Sequence, residues 1–437
     1  MASRDLTRRE LLRMFQAGAL TLPLAWLPTC SKASKRSGVG APPPPPQSDD
    51  PLLDEIQKAS FDFFWTECGA STGQVKDRAL TTGNDTRTIS SIAATGFALT
   101  ALCIADSRGY AGSSEIKERV RTTLRFIANQ LPQEHGFFYH FVDMNTGARA
   151  FNSELSSVDT TILLCGVLTA RQYFNDAEIQ DLATTIYNRV DWPWMLNGGS
   201  MLSMGWTPEA GFLSRRWDHY CELMMIYLLA IGSPTHPIPP DTWEAWSRPT
   251  ITYQGITYIS GNDPLFTHQY SHAWFDFRNK KDAHANYFQN SIDATRAHKL
   301  FCLSLNNQFS DYADNLWGIS ASDYAGGYTA WGGPPAIGPI DGSIVPCAPG
   351  GSLPFLFDDC MRVLHNIRNK FGRAWARYSF VDAFNPLTNW YDPDVIGIDL
   401  GVTMLMAENH RSGLVWQTFM KNPEAGAAMN SVGFKPS

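Results

Sequence analysis

The stretch RRWDHYCELMMIYLLAIGSP, Arg215 to Pro234, sets a loop of charge and aromatic rings directly against one of the most apolar runs in the chain. No proline or glycine interrupts it before Gly232, and Gly232-Ser233-Pro234 supplies a stop, so the pattern predicts a helix. From Tyr220 to Ile231 almost every position is apolar, the signature of a helix packed on all sides. Glu222 lies within that run. A carboxylate in a dry site must be paired, hydrogen-bonded or protonated, because leaving it charged costs several kcal/mol. With Asp218 at i−4 on the same predicted face, like-charge repulsion is expected to raise one of the two pKa values, as a general acid requires. The competing reading is a structural ion pair with Arg215 or Arg216.

Working outward, apolar helices recur, each followed by an amphipathic partner. Ser90 to Ala105 precedes Ser113 to Gln130, Val158 to Phe174 precedes Asp176 to Val190, and the Trp217 region opens a third unit. Leu52 to Glu67 reads as an opening helix; Ile292 to Asn306, Pro354 to Phe371 and Val402 to Asn409 are helical in pattern. Buried helices lined by half-exposed ones predict an all-α fold, an (α/α)6 toroid, with strands only as loop decoration. Hairpins are expected at Phe137 to Phe151 and at Ile251 to Ile259, the second turning on Gln254-Gly255.

The 437 residues carry a net charge of −7, which argues against a nucleic-acid partner. Aromatics make up 12% of the chain, with 14 Trp, many beside Gly, Pro or Asp in loops, which favours a cleft for flat, partly apolar rings such as sugars. Residues 1–30 read as an export signal: TRRELLR, Thr7 to Arg13, has twin-arginine character, the apolar stretch Met14 to Trp26 is too short to span a bilayer, and Cys30 is the expected lipidation site. The envelope is the expected location, with membrane attachment only through that lipid. Residues 31–50, with five prolines from Pro42 to Pro46, form a stiff linker, and residues 51–437 the folded domain. No CxxC occurs among the 8 Cys; Cys347 and Cys360 are left open as a disulfide pair.

In a toroid the starts of the inner helices converge on one mouth. Glu154, Ser156, Ser157 and Asp159 precede one inner helix; Arg215, Trp217, Asp218, Tyr220 and Glu222 precede another. The loop WGISASDYAGGYTAWGGP, Trp317 to Pro334, offers Trp317, Asp323, Tyr324 and Trp331, and Asp341, Trp390 and Asp399 follow. Aromatic faces with carboxylates are suited to gripping a sugar. His268 and His272 have a helical metal-ligand spacing but no third ligand nearby, so no metal and no cofactor is expected. GxSxG, Walker and dinucleotide motifs are absent.

These segments together resemble the glycoamylase-like family, which includes bacterial endo-β-1,2-glucanases and the related domain of cyclic β-1,2-glucan synthases. The matching blocks are Ser153 to Gly166, Arg215 to Pro239, PLFTHQYSHAWFDFR at Pro264 to Arg278, WGISASDYAGGY, DGSIVP from Asp341, FVDAFNP from Phe380, GIDLG from Gly397 and ENHRSGLVW from Glu408. The resemblance implies an (α/α)6 toroid and a glycoside-processing cleft. It makes Glu222 the first candidate for the acid, with Glu154, Asp159 and Asp399 competing for the base. The expected function is hydrolysis of a neutral, β-1,2-linked glucan with inversion. A retaining transglycosylase, a polysaccharide lyase and a non-catalytic glycan-binding lipoprotein are the alternatives.

Overall fold

The computed structural model describes residues 50–437; the twin-arginine segment, Cys30 and most of the proline-rich linker lie outside the described residues. The long helices are α1 (Pro51–Thr66), α2 (Ile92–Arg108), α3 (Ser113–Asn129), α4 (Ser157–Tyr173), α5 (Ala177–Asn188), α6 (Met224–Ile231), α7 (Tyr287–Ser304), α8 (Phe357–Lys370) and α9 (Gly397–Arg411). They form the expected (α/α)6 toroid.

The division into two rings follows from residue type. Helices α2, α4, α6 and α9 are buried around nearly their whole circumference, whereas α3, α5 and α8 bury one stripe and turn charge to solvent. In the inner ring α2 packs on α4 and on α9; outside it α5 covers α4 and touches α3, and α1 leans on α2 and α9. Backbones touch where α2 crosses α4, because both sides are glycine. A Cβ on Gly166 would overlap the Gly96 carbonyl, and one on Gly96 would overlap the Ile162 carbonyl. One hydrophobic cluster runs from Leu52 to Phe434.

Caps fix the inner-helix starts. Ser91 caps α2 and Ser156 caps α4, each side chain accepting a backbone N–H three residues on. The strands are short and paired in twos and threes. Thr250–Tyr253 pairs with Ile256–Ile259 across Gln254-Gly255, both at positive φ, as expected. The other expected hairpin forms in short: across the turn at Asn145-Thr146-Gly147 the Asp143 N–H donates to the Ala148 carbonyl at 2.8 Å and the Ala150 N–H to the Phe141 carbonyl at 2.9 Å, bridging Val142 to Arg149, while Phe141–Asp143 also pairs with Ile89–Ser91.

Cys347 and Cys360 are not bonded; the cysteines among the described residues are free thiols, all but Cys68 fully buried. No described helix is long and apolar enough to cross a membrane.

Candidate active site

The central stretch departs from its expected form in one respect: helix α6 begins at Met224, and Arg215 to Leu223 is irregular. The reason is tertiary. The Trp217 N–H donates to the Leu202 carbonyl at 3.0 Å, Tyr220 to Ser247 at 2.9 Å, and Ser247 back to the Asp218 carbonyl at 2.8 Å, so these backbone groups are unavailable to a helix. Ser271 closes the junction, its hydroxyl donating to the Glu222 carbonyl at 2.9 Å and accepting the Met225 N–H at 3.2 Å. Glu222 therefore sits in the turn leading into α6. Asp218 is not its helical neighbour: it is half exposed and bound to His219 at 2.6 Å. Hydrogen bonding to Asp263 and then to Asp218 outweighs burial and lifts His219 to about 9.

Three of the four candidate carboxylates do converge. Glu154, Asp159 and Glu222 line a cavity of about 370 Å³ together with His140, Arg215 and Trp217, walled on the apolar side by Met204, Phe212 and Leu213. The start of α4 builds most of it. The Ser156 hydroxyl donates to Asp159 Oδ2 at 2.6 Å and accepts the Asp159 N–H at 3.2 Å. Next to it Ser157 Oγ accepts the Trp217 indole N–H at 2.8 Å and donates to the Ser203 carbonyl at 2.8 Å, fixing the indole in the wall. His140 bridges the two acids, with Nδ1 3.6 Å from Glu154 Oε1 and Nε2 3.6 Å from Asp159 Oδ2. Its ring stacks on Phe141 at 3.9 Å. Opposite Glu154 stands Gly205, where a Cβ would come within 2.9 Å of the Glu154 Cγ and 2.5 Å of the Leu155 carbonyl.

Asp399 belongs to a different hollow. In the first turn of α9, it lines a space of about 20 Å³, room for a single water, with Asp382 and Cys347. Asp382 Oδ2 accepts the Asp323 N–H at 2.7 Å, Arg78 holds Asp323 at 2.7 Å, and Asp392 accepts the Asp394 N–H at 3.0 Å. Arg87 grips Asp394 with two nitrogens, at 2.7 and 2.6 Å. Oxygens of Asp323, Asp392 and Asp394 lie within 4.8 Å of one another, an arrangement able to hold a cation, although the two arginines already neutralise the first and last. Burial and the charge of Asp323 push Asp392 up to about 8, and burial with the charge of Asp399 pushes Asp382 well above the carboxylate range. Asp382, Asp392, Arg78 and His140 were not singled out in the sequence. Their only signal was position: Asp382 within FVDAFNP, Asp392 in the Asp392-Pro393-Asp394 turn, Arg78 in the three-residue strand Arg78–Leu80, and His140 inside the expected hairpin.

Several expected sugar-binding rings are core instead. Trp317 and Trp331 are completely buried, the Trp331 indole donating to Ser322 Oγ at 3.0 Å, and Tyr220 is buried against His268 at 3.2 Å. Tyr324 is half-buried and tilted on Trp331, and Trp390 is half-buried in the strand Trp390–Tyr391. Asp341 accepts the Ser343 N–H at 2.9 Å, closing a turn. Of the expected aromatics, Trp217 lines the cavity, and Phe212, which was not expected, joins it. His268 and His272 are buried among protein groups, and desolvation drives both down to about 3. They are neutral core residues.

Against known proteins, the Glycoamylase family model matches residues 214–423. The exo β-1,2-glucooligosaccharide sophorohydrolase of Parabacteroides distasonis is 27% identical over 425 residues, 88% of this chain. The chain spans 58% of that enzyme's length. Among solved structures, the endo-β-1,2-glucanase of Chitinophaga pinensis, seen with sophorotriose and glucose, superposes with a TM-score of 0.81 at 27% identity, covering 89% of this chain and 99% of that one. A β-1,2-glucanase from Parabacteroides distasonis gives 0.82 at 26% identity, covering 89% and 60%. Fold and site thus define an (α/α)6 protein with a carboxylate-lined cavity. Over residues 214–423 the chain is similar to the glycoamylase family.

Proposed function

We propose that this protein is a glycoside hydrolase that cleaves a β-1,2-linked glucan by single displacement. The observation that carries the reading is the cavity itself: Glu222, Glu154 and Asp159, distant in the chain, share one hollow with an arginine and an indole. Relatives that act on β-1,2-glucans share the fold across nearly the whole described chain.

In this mechanism Glu222 protonates the leaving glycosidic oxygen while a carboxylate across the hollow activates water, a geometry that calls for about 6.5–9.5 Å between the two groups. Glu154 and Asp159 share the cavity with Glu222, and the base is assigned to that pair in preference to Asp399. His140 sets the orientation of both. The indole of Trp217 supplies the flat wall, and Arg215 a donor for sugar hydroxyls.

Glu222→Gln is expected to lower turnover on β-1,2-glucan by about 10²- to 10⁴-fold while leaving binding nearly intact, because the change removes the transferable proton and keeps the shape. Near-normal turnover would remove Glu222 from the role. The anomer first released, followed by NMR, distinguishes inversion from retention. The twin-arginine pattern and Cys30 support an envelope location through a lipid anchor; loss of membrane fractionation in Cys30→Ala tests it.

A further inference from the structure

We infer that Phe151 is a sugar-stacking platform outside the cavity, so that a glucan chain leaving the reaction centre lays a ring on it. The inference rests on the glucan reading above and adds to it a binding position.

Phe151 is 58% exposed; among the described residues the other comparably exposed large hydrophobic is Leu387, at 45%. A single exposed apolar side chain is ordinary on a protein surface. This one is not held there by default. Phe151 and Asn152 are consecutive non-glycine residues at φ +54° and +50°, a left-handed region that side chains resist. The surroundings enforce that shape. Arg149 donates through Nε to the Ser153 carbonyl at 2.6 Å and through Nη2 to the Asn152 carbonyl at 2.7 Å, while its guanidinium covers the Tyr139 ring at 4.9 Å.

The same guanidinium holds Glu209 with two bonds, at 2.6 and 3.0 Å. Glu209 sits in the turn between the strands Gly205–Thr207 and Gly211–Phe212, and Ala210 and Phe212 from that turn and strand line the cavity. The strained loop also runs straight into Glu154. A path of rings completes the connection: Phe151 stands edge-on to Phe141 at 5.7 Å, and Phe141 stacks on His140, which lines the cavity. The exposed ring is therefore continuous with the site and flanked by Arg149, Asn152 and Glu209, which offer partners to hydroxyl groups. A lone ring among polar groups matches the apolar face of a pyranose; it is too small for a protein interface.

The test is a chain-length series of β-1,2-glucooligosaccharides with wild type, Phe151→Ala and Phe151→Trp. Losing one stacked ring is expected to lower kcat/KM about 3- to 10-fold on chains long enough to reach the platform, through KM. The shortest cleaved chain should be unaffected, and Phe151→Trp should restore the long ones. An equal loss at every length would mean that the loop merely positions Glu154, and no loss at any length would leave the ring without a role; either overturns the inference. If the wild type cleaves none of the series, the hydrolase reading fails by itself. Calorimetric binding of the same oligosaccharides then decides on Phe151: a length-dependent loss in Phe151→Ala supports the platform, and equal affinities overturn it.

Discussion

Gly205 leaves no space for a methyl group beside the Glu154 side chain and the Leu155 carbonyl. Gly205→Ala should push Glu154 off its position and lower turnover by at least about 10-fold, at a stability cost of about 1–3 kcal/mol. Activity and the urea midpoint, measured together, separate the two effects. Asp392 permits a prediction of a different kind. Its folded pKa of about 8 lies above the ordinary carboxylate value, so the folded chain binds a proton that the unfolded chain has already lost. That stabilisation is complete below the ordinary pKa and disappears as the pH rises through about 8. Between pH 6 and 9 the wild type should therefore lose thermal stability, and Asp392→Asn should lose less; parallel melting curves would refute the assignment. Glu222 was legible in the sequence as a carboxylate inside an apolar run. Asp392 was not, since its raised pKa depends on Asp323, 69 positions earlier in the chain and beside it in space.

The contact between α2 and α4 shows what helical elements could and could not reveal. Both glycines, Gly96 and Gly166, stand in apolar helical runs, where a glycine costs about 1 kcal/mol against alanine when nothing else is at stake. Here the obstacle to alanine is backbone, which cannot rotate away. Gly166→Ala should consequently destabilise the protein by about 1–3 kcal/mol or more despite better helix propensity, seen as a lowered urea midpoint. The helices themselves were readable from their apolar pattern, and α2 to α5 begin within two residues of expectation. The start of α6 was not, because Leu202, Ser247 and Ser271 draw the preceding backbone into bonds that no local pattern encodes. Trp317 and Trp331 misled for a related reason. Glycine-rich surroundings mark a loop, yet whether its rings face a ligand or the core is settled by what packs on them.

Across the whole molecule, the double ring followed from the alternation of all-apolar and amphipathic helices. The convergence of Glu154, Asp159 and Glu222 followed from placing inner-helix starts at one mouth. Asp399, at an inner-helix start of its own, did not join them in the same cavity. Acid stability carries a further prediction at this scale. His268, His272 and His298 are buried and held neutral, with pKa values lowered by burial to about 3, 3 and 4. Unfolding frees each to take up a proton below the ordinary histidine value of 6.5, so their contribution is present above that pH and is lost as the pH falls toward 4 and 3. Melting temperature should fall on acidification from pH 6.5 to 4, and His298→Gln should make that fall shallower.

The buried thiols have one more consequence. Burial raises the pKa of Cys103, Cys165, Cys221, Cys347 and Cys360 well above its usual value and that of Cys302 to about 12, leaving almost no thiolate to react. Oxidants and reductants alike should leave the folded domain unchanged, and a maleimide added to native protein should mark Cys68 first, while full labelling should wait for denaturation.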